Sequence, residues 1–181
     1  MTLPSPNQIN EGLKGRKVHL IGHSLGGLDC RYLVTHLMEG AEFEVLSITT
    51  ICTPHRGTPF ADFMMDLEIS EQPIVSLVLE CLPFGQGDGG GFASITTNST
   101  QDFNATTLDV AGVRYLSYGC SFEPHPLELL CWGYSFSLVK DEEGPNDGFI
   151  PIESAKCKGH LTLSHCLDLT CITRGRVPWH T

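Results

Sequence analysis

Apolar and polar positions change their period several times along the chain, and each change marks an element. Residues 1–16 are polar and contain Pro and Gly, so they predict a loop rather than a regular element. Lys17-Val18-His19-Leu20-Ile21 is a short β-rich run that ends at Gly22 and predicts a strand. From Leu25 the spacing becomes helical. Leu25, Leu28, Tyr32, Leu33, His36 and Leu37 fall on one face of a helix that should stop at Gly40. Val45 to Ile51 is a second apolar run without charge, as suits a parallel strand buried on both faces. Strand, helix and strand of these lengths make a βαβ unit, which sets the fold class as α/β with a mostly parallel sheet.

The middle of the chain is less regular. Ala61 to Leu82 mixes Phe63, Met64, Met65, Leu67, Ile69, Ile74, Val75, Leu77, Val78 and Leu79 with a few acids, and predicts two short amphipathic helices divided at Pro73. Gly85 to Gly91 holds five glycines in seven residues, a flexible stretch. Val113 to Tyr118 alternates and predicts a third strand. Turn residues follow from Glu142 to Gly148, then the apolar Phe149-Ile150-Pro151-Ile152. There is no internal repeat.

Composition narrows the classes. With 181 residues, 41% hydrophobic and 18% charged, the chain can bury one core. A net charge of −10 leaves no basic surface to displace phosphate counterions, which excludes nucleic acid as a partner. The eight cysteines form no CxxC pair, and Cys30 and Cys52 sit in apolar patterns where free thiols are usual, which favours a reducing, intracellular compartment. Asn98-Ser99-Thr100 and Asn104-Ala105-Thr106 are glycosylation triplets of a kind common by chance. The first residues carry no signal-peptide pattern, and no apolar run approaches the roughly 18 residues of a transmembrane helix.

The chemistry centres on Gly22-His23-Ser24-Leu25-Gly26. A strand before it and a helix after it are the setting of a nucleophile elbow, in which a serine stands on a strained turn. Gly22 and Gly26 are expected where a Cβ would collide with neighbouring backbone, and Gly27 where helix and strand pack closely. The helix start would put the Leu25 N–H and a positive dipole end beside a developing oxyanion. A plain strand-to-helix turn could carry the same glycines. A nucleophilic serine needs a base, and the base an orienting carboxylate, in the chain order Ser, acid, His. Asp147 stands in an Asn-Asp-Gly turn. Downstream lie His160, His165 and His180, of which His165 is flanked by Leu161, Leu163, Leu167 and Leu169.

Three blocks in this order carry a family resemblance. Val18 to Tyr32 resembles the elbow region of the fungal triacylglycerol lipases related to the bacterial true lipases. Thr50 to Phe60, with Thr53-Pro54-His55-Arg56-Gly57-Thr58, is similar to the stretch that leads into their lid. Gly144 to Lys156 matches their acid-bearing motif. The resemblance implies a partial α/β-hydrolase fold with flanking helices and a lid-like insertion. It also implies a serine carboxylic-ester hydrolase acting on acylglycerol-type or other lipid esters, with a membrane or lipid-droplet surface as the place of action, and no cofactor. Ser24 would be the nucleophile, Asp147 the acid, His165 the base with His160 as alternative, and Leu25 N–H the oxyanion donor. His165-Cys166-Leu167-Asp168 departs from the family spacing, with Ser164 where an acid usually stands. Bacterial relatives use an aspartate near this histidine as a calcium ligand, and Asp168 does not keep their spacing.

The reading divides the chain into an elbow unit at 17–60, a lid-like insertion at 61–95 and acid and histidine loops at 110–170. The segment from Asp62 to Phe84 would be either a mobile cap over an acyl site or an ordinary pair of core-covering helices. Relatives carry strands before the nucleophile strand, one of whose loops supplies a second oxyanion donor. Some 16 residues precede Lys17, so this form is expected to be truncated and a poor enzyme alone. Two rivals stand beside the hydrolase: a zinc site at Cys157, His160, His165 and Cys171, whose spacing fits no standard finger, and an impaired hydrolase-like domain with a binding or structural role.

Overall fold

The computed structural model describes residues 12–68, 90–121, 123–124, 129–157 and 161–162. Among these, four strands form one sheet in chain order: β1 (Lys17–His23), β2 (Glu44–Ile51), β3 (Arg114–Tyr118) and β4 (Leu161–Thr162). Every neighbouring pair is parallel. Helix α1 (Leu25–His36) joins β1 to β2 and lies against both, so the predicted βαβ unit is present. Between β2 and β3 come α2 (Pro59–Glu68), α3 (Gly90–Ser94) and α4 (Thr97–Thr106). Between β3 and β4 come α5 (Leu129–Glu143) and α6 (Ile152–Ala155).

β2 lies inside the sheet between β1 and β3, which is why its run needs no charge: Val45, Ser47, Ile48 and Thr50 are all buried. One core gathers Val34, Phe43, Val45, Ile48 and Tyr115, with Val18 and Leu20 of β1 packed against it. β1 forms an edge of the described sheet, and Ile21 on it is 71% exposed. A second core joins Phe60 and Met64 of α2 to Val139 of α5. Phe149 lies edge-on to Phe60 at 5.1 Å between ring centres. The start of the expected insertion therefore packs into the core through Ala61, Phe63 and Met64. Residues 69–89, including the expected break at Pro73 and most of the glycine run, lie outside the described residues.

Helix α1 ends at His36 rather than at Gly40, and its buried face is not the expected one. Its buried face is Gly27, Leu28, Arg31 and Val34, whereas Tyr32 and His36 are exposed and stack on one another at 4.6 Å. The line is rotated because Arg31, itself buried, finds partners there: Asn104 Oδ1 at 2.8 Å, the buried Thr107 carbonyl at 3.0 Å and the Phe103 ring at 5.2 Å. Nε, also buried, has no hydrogen-bond partner among the described residues, so the Nη1 and Nη2 bonds are what hold the guanidinium inward. Asn104 is thereby spent on structure. Its amide also donates to the His55 carbonyl at 2.6 Å. The thiols of Cys30, Cys52 and Cys120 are in no disulfide. Among the described residues no helix is long and apolar enough to cross a membrane.

Candidate active site

Ser24 follows β1 and precedes α1 with φ 52° and ψ −130°, a left-handed region that a non-glycine residue enters only at a cost of about 1–3 kcal/mol. Although it occupies the N-cap position, its side chain makes no capping bond to the helix. Its backbone is held from β2: Ser24 N donates to the Ile51 carbonyl at 2.9 Å, and its own carbonyl accepts from Thr53 Oγ1 at 2.8 Å. The sharp turn brings Gly22 against the next helical turn. A Cβ there would stand 2.5 Å from the Gly26 carbonyl oxygen, so Gly22 is required as expected. Gly26 is not. A Cβ at Gly26 would meet open space, and the second obligatory position is Gly27, where it would fall on the Thr53 hydroxyl.

The strand ends arrange the neighbours of Ser24. Cys52, directly after β2, also has a positive φ (47°) and is buried, and its N–H donates to the Tyr118 carbonyl at 2.8 Å. The loop from Thr53 to Thr58 then runs beside the acid loop and is tied to it repeatedly. His55 N donates to the Ser154 carbonyl at 3.1 Å, Arg56 N to Ser154 Oγ at 3.1 Å, and Ser154 Oγ to the Gly57 carbonyl at 2.5 Å. Thr58 Oγ1 donates to the Phe149 carbonyl.

Asp147 sits in that acid loop, and both amides that meet its carboxylate converge on one oxygen. Oδ1 accepts from Phe149 N at 3.1 Å and from Ile150 N at 2.7 Å. Asn146, fully buried, closes the turn. It accepts from Gly148 N at 2.8 Å and donates to the carbonyls of Gly144 at 3.0 Å and Phe136 at 3.3 Å. Burial pushes the Asp147 carboxyl up, opposed by the two amides, the Cys52 thiol and the neighbouring His23. The Cys52 thiol is held protonated, far above the usual range, by Cys120, by burial and by Asp147.

Ser24 and Leu25 follow β1 directly, and Asp147, from the loop after α5, reaches the Cys52 thiol just beyond the neighbouring strand β2. His160, His165, Asp168 and Cys171 lie outside the described residues, and of the four rival zinc ligands only Cys157 is described. Cys52, Thr53 and Asn146 were not singled out by sequence reasoning. Asn146 had a signal in its Asn-Asp-Gly turn, while the roles of Cys52 and Thr53 depend on contacts with β1 and the acid loop. A separate cavity of about 500 Å³ between α1 and α4 is lined by Arg31, His55, Gln101, Asn104 and Lys156, without Ser24 or Asp147.

No protein-family profile matches the chain. It is 36% identical over 143 residues to triacylglycerol lipase 2 of Saccharomyces cerevisiae, covering 79% of this chain and 41% of the yeast protein. A triacylglycerol lipase of Pseudarthrobacter phenanthrenivorans is 55% identical over 116 residues, 64% of this chain and 34% of that protein. The chain spans less than half the length of these curated relatives. The mature lipase BlEst2 of Bacillus licheniformis shares the fold with a TM-score of 0.67 at 22% identity, covering 94% of this chain and 65% of that one. The metagenomic carboxyl esterase MGS0156 gives 0.64 at 18% identity, covering 90% and 48%. The chain is thus lipase-like in sequence, and its fold is part of an α/β-hydrolase with a parallel sheet and flanking helices.

Proposed function

We propose that this chain carries the nucleophile and acid of a serine carboxylic-ester hydrolase acting on lipid esters of the acylglycerol type, at a lipid surface. In this reading Ser24 Oγ attacks the ester carbonyl carbon while His165 takes its proton. The C–O bond to the alcohol breaks and the departing oxygen receives that proton, leaving an acyl-enzyme. Water then repeats the sequence and frees the acid. Asp147 orients the imidazole, and Leu25 N–H stabilises the oxyanion.

The observation that carries this reading is the conformation of Ser24. A strained N-cap serine whose side chain does not cap its helix, held from behind by β2, has no folding rationale strong enough to offset its cost. The triacylglycerol lipases similar in sequence support the ester class. An alkyl fluorophosphonate tests it. The chain should be labelled on one serine, and Ser24→Ala should abolish both labelling and p-nitrophenyl ester hydrolysis. His165→Ala should lose comparably, whereas His160→Ala should not. Labelling that persists in Ser24→Ala refutes the nucleophile, and an unreactive parent chain would favour a binding role.

A further inference from the structure

The carbonyl of Ser24 and the N–H of Leu25 belong to one peptide unit. A peptide unit is planar and trans, so its C=O and N–H point in opposite directions and turn together. Any group that fixes the Ser24 carbonyl therefore also aims the Leu25 N–H.

We propose that Thr53 is a positioning residue for the oxyanion donor: by holding the Ser24 carbonyl it locks the Ser24–Leu25 peptide plane, and with it the direction of the Leu25 N–H. The inference rests on the assignment of Ser24 as nucleophile above and deepens it. Thr53 is fully buried, and its hydroxyl donates to the Ser24 carbonyl at 2.8 Å. The same carbonyl accepts from Gly27 N at 3.0 Å, as an N-cap carbonyl does at the start of a helix, and that bond alone leaves the plane free to tilt about it. The surroundings are built for the second bond. The left-handed turn at Cys52 carries the chain from β2 towards Ser24. Gly27, lacking a Cβ, leaves the space that the Thr53 hydroxyl fills. The Thr53 carbonyl accepts from His55 N at 2.9 Å, and the loop beyond is fastened to the acid loop at Ser154. An anchored donor thus presses on the one peptide whose other end would meet the substrate. A threonine that served packing alone would need no hydroxyl here.

Thr53→Val removes the donor at nearly constant volume, and Thr53→Ser keeps it. Should the valine methyl not fit, Thr53→Ala removes the donor without adding bulk. An interaction exerted only on the transition state lowers kcat and leaves KM unchanged. Thr53→Val should therefore lower kcat on p-nitrophenyl butyrate about tenfold with KM little changed, which corresponds to one hydrogen bond's net contribution. Thr53→Ser should restore most of the rate, and inhibition by a trifluoromethyl ketone should weaken in step with kcat. Parental kcat in Thr53→Val, or an equal loss in Thr53→Ser, would overturn the proposal. A spectroscopic readout separates it from the catalytic reading. With ¹³C at serine carbonyls and ¹⁵N at leucine, the Ser24–Leu25 signal should shift in Thr53→Val and stay in Thr53→Ser, whether or not the parent reacts with fluorophosphonate. An unmoved signal in Thr53→Val overturns it.

Discussion

Asp147→Asn separates the chemistry of the acid from its structural place, because both amides that grip the carboxylate use the same oxygen. Phe149 N at 3.1 Å and Ile150 N at 2.7 Å meet Oδ1, and asparagine keeps an oxygen there. The turn itself is held by Asn146, not by the charge. What changes is the second oxygen, which becomes an NH₂ that cannot accept from an imidazole N–H. The wrong tautomer then costs up to about 10⁴ in kcat, or ~5.5 kcal/mol of transition-state stabilisation. Stability should move the other way. Burial raises the Asp147 carboxyl above its unfolded value, so its contribution is greatest below the unfolded pKa and is lost as pH rises through the folded one. At neutral pH the ionised carboxylate is a burden that asparagine does not carry. The variant should thus melt above the parent at about pH 7, with the gap closing towards about pH 3, below the unfolded value, where the carboxyl is mostly protonated in both states. Esterase kinetics and calorimetry at the two pH values measure both effects. Near-parental kcat would refute the acid, and a variant less stable than the parent at neutral pH would refute the burial argument.

Three further outcomes follow from single contacts. Arg31→Met should destabilise by about 2 kcal/mol in urea unfolding, since it strands the buried Thr107 carbonyl at roughly 1–3 kcal/mol and removes a bond to the half-buried Asn104; a loss near zero would show that water replaces the guanidinium. Gly27→Ala should cost roughly 1–3 kcal/mol by overpacking against Thr53, whereas Gly26→Ala, facing open space, should fold as well as the parent. Ile21→Thr should keep the melting temperature, because the side chain is 71% exposed on an edge strand, while lowering the aggregated fraction in light scattering; unchanged aggregation would place the sticky surface elsewhere.

The βαβ unit, the third strand and the Ser24 turn were legible because local period and glycine placement decide them. Other features depend on partners far along the chain. Helix α4 is Thr97-Asn98-Ser99-Thr100-Gln101-Asp102-Phe103-Asn104-Ala105-Thr106, with weak formers and no apolar stripe. It stands because Thr96 caps it through Ser99 N at 3.2 Å, Asp62 accepts from Thr97 N at 3.0 Å, and Asn104 answers Arg31. Helix α5 contains Gly133 and two serines in an aromatic-rich run, and the burial of Phe136 and Val139 overrides those propensities. Arg31 reads as a surface charge until Thr107, far along the chain, is brought beside it. The same holds for Thr53, whose hydroxyl acquires its partner only when β1 and β2 pair.

That pairing also explains how two site residues far apart in sequence come to be set against each other. In a parallel sheet every strand delivers its following loop to the same edge, which is where open α/β sheets build their ligand crevices. Here the ladder continues past the strand ends: Ser24 N donates to Ile51 O, and Cys52 N to Tyr118 O. Sheet hydrogen bonds therefore fix Ser24 relative to the strand that leads to Thr53, and Cys52 relative to β3. The register is specific. An irregularity between Val18 and His19 shifts β1 by one residue against β2, so that Gly22 stands opposite Thr50 and His23 opposite Ile51. The extra residue lies in β2: Leu46 has no partner on β1, whose own alternation runs unbroken from Lys17 to His23. Without it Ser24 would stand opposite Ile51 instead of one residue beyond, displaced from its present hold on the Thr53 hydroxyl. The break in β2 and the position of the serine are thus satisfied by the same register.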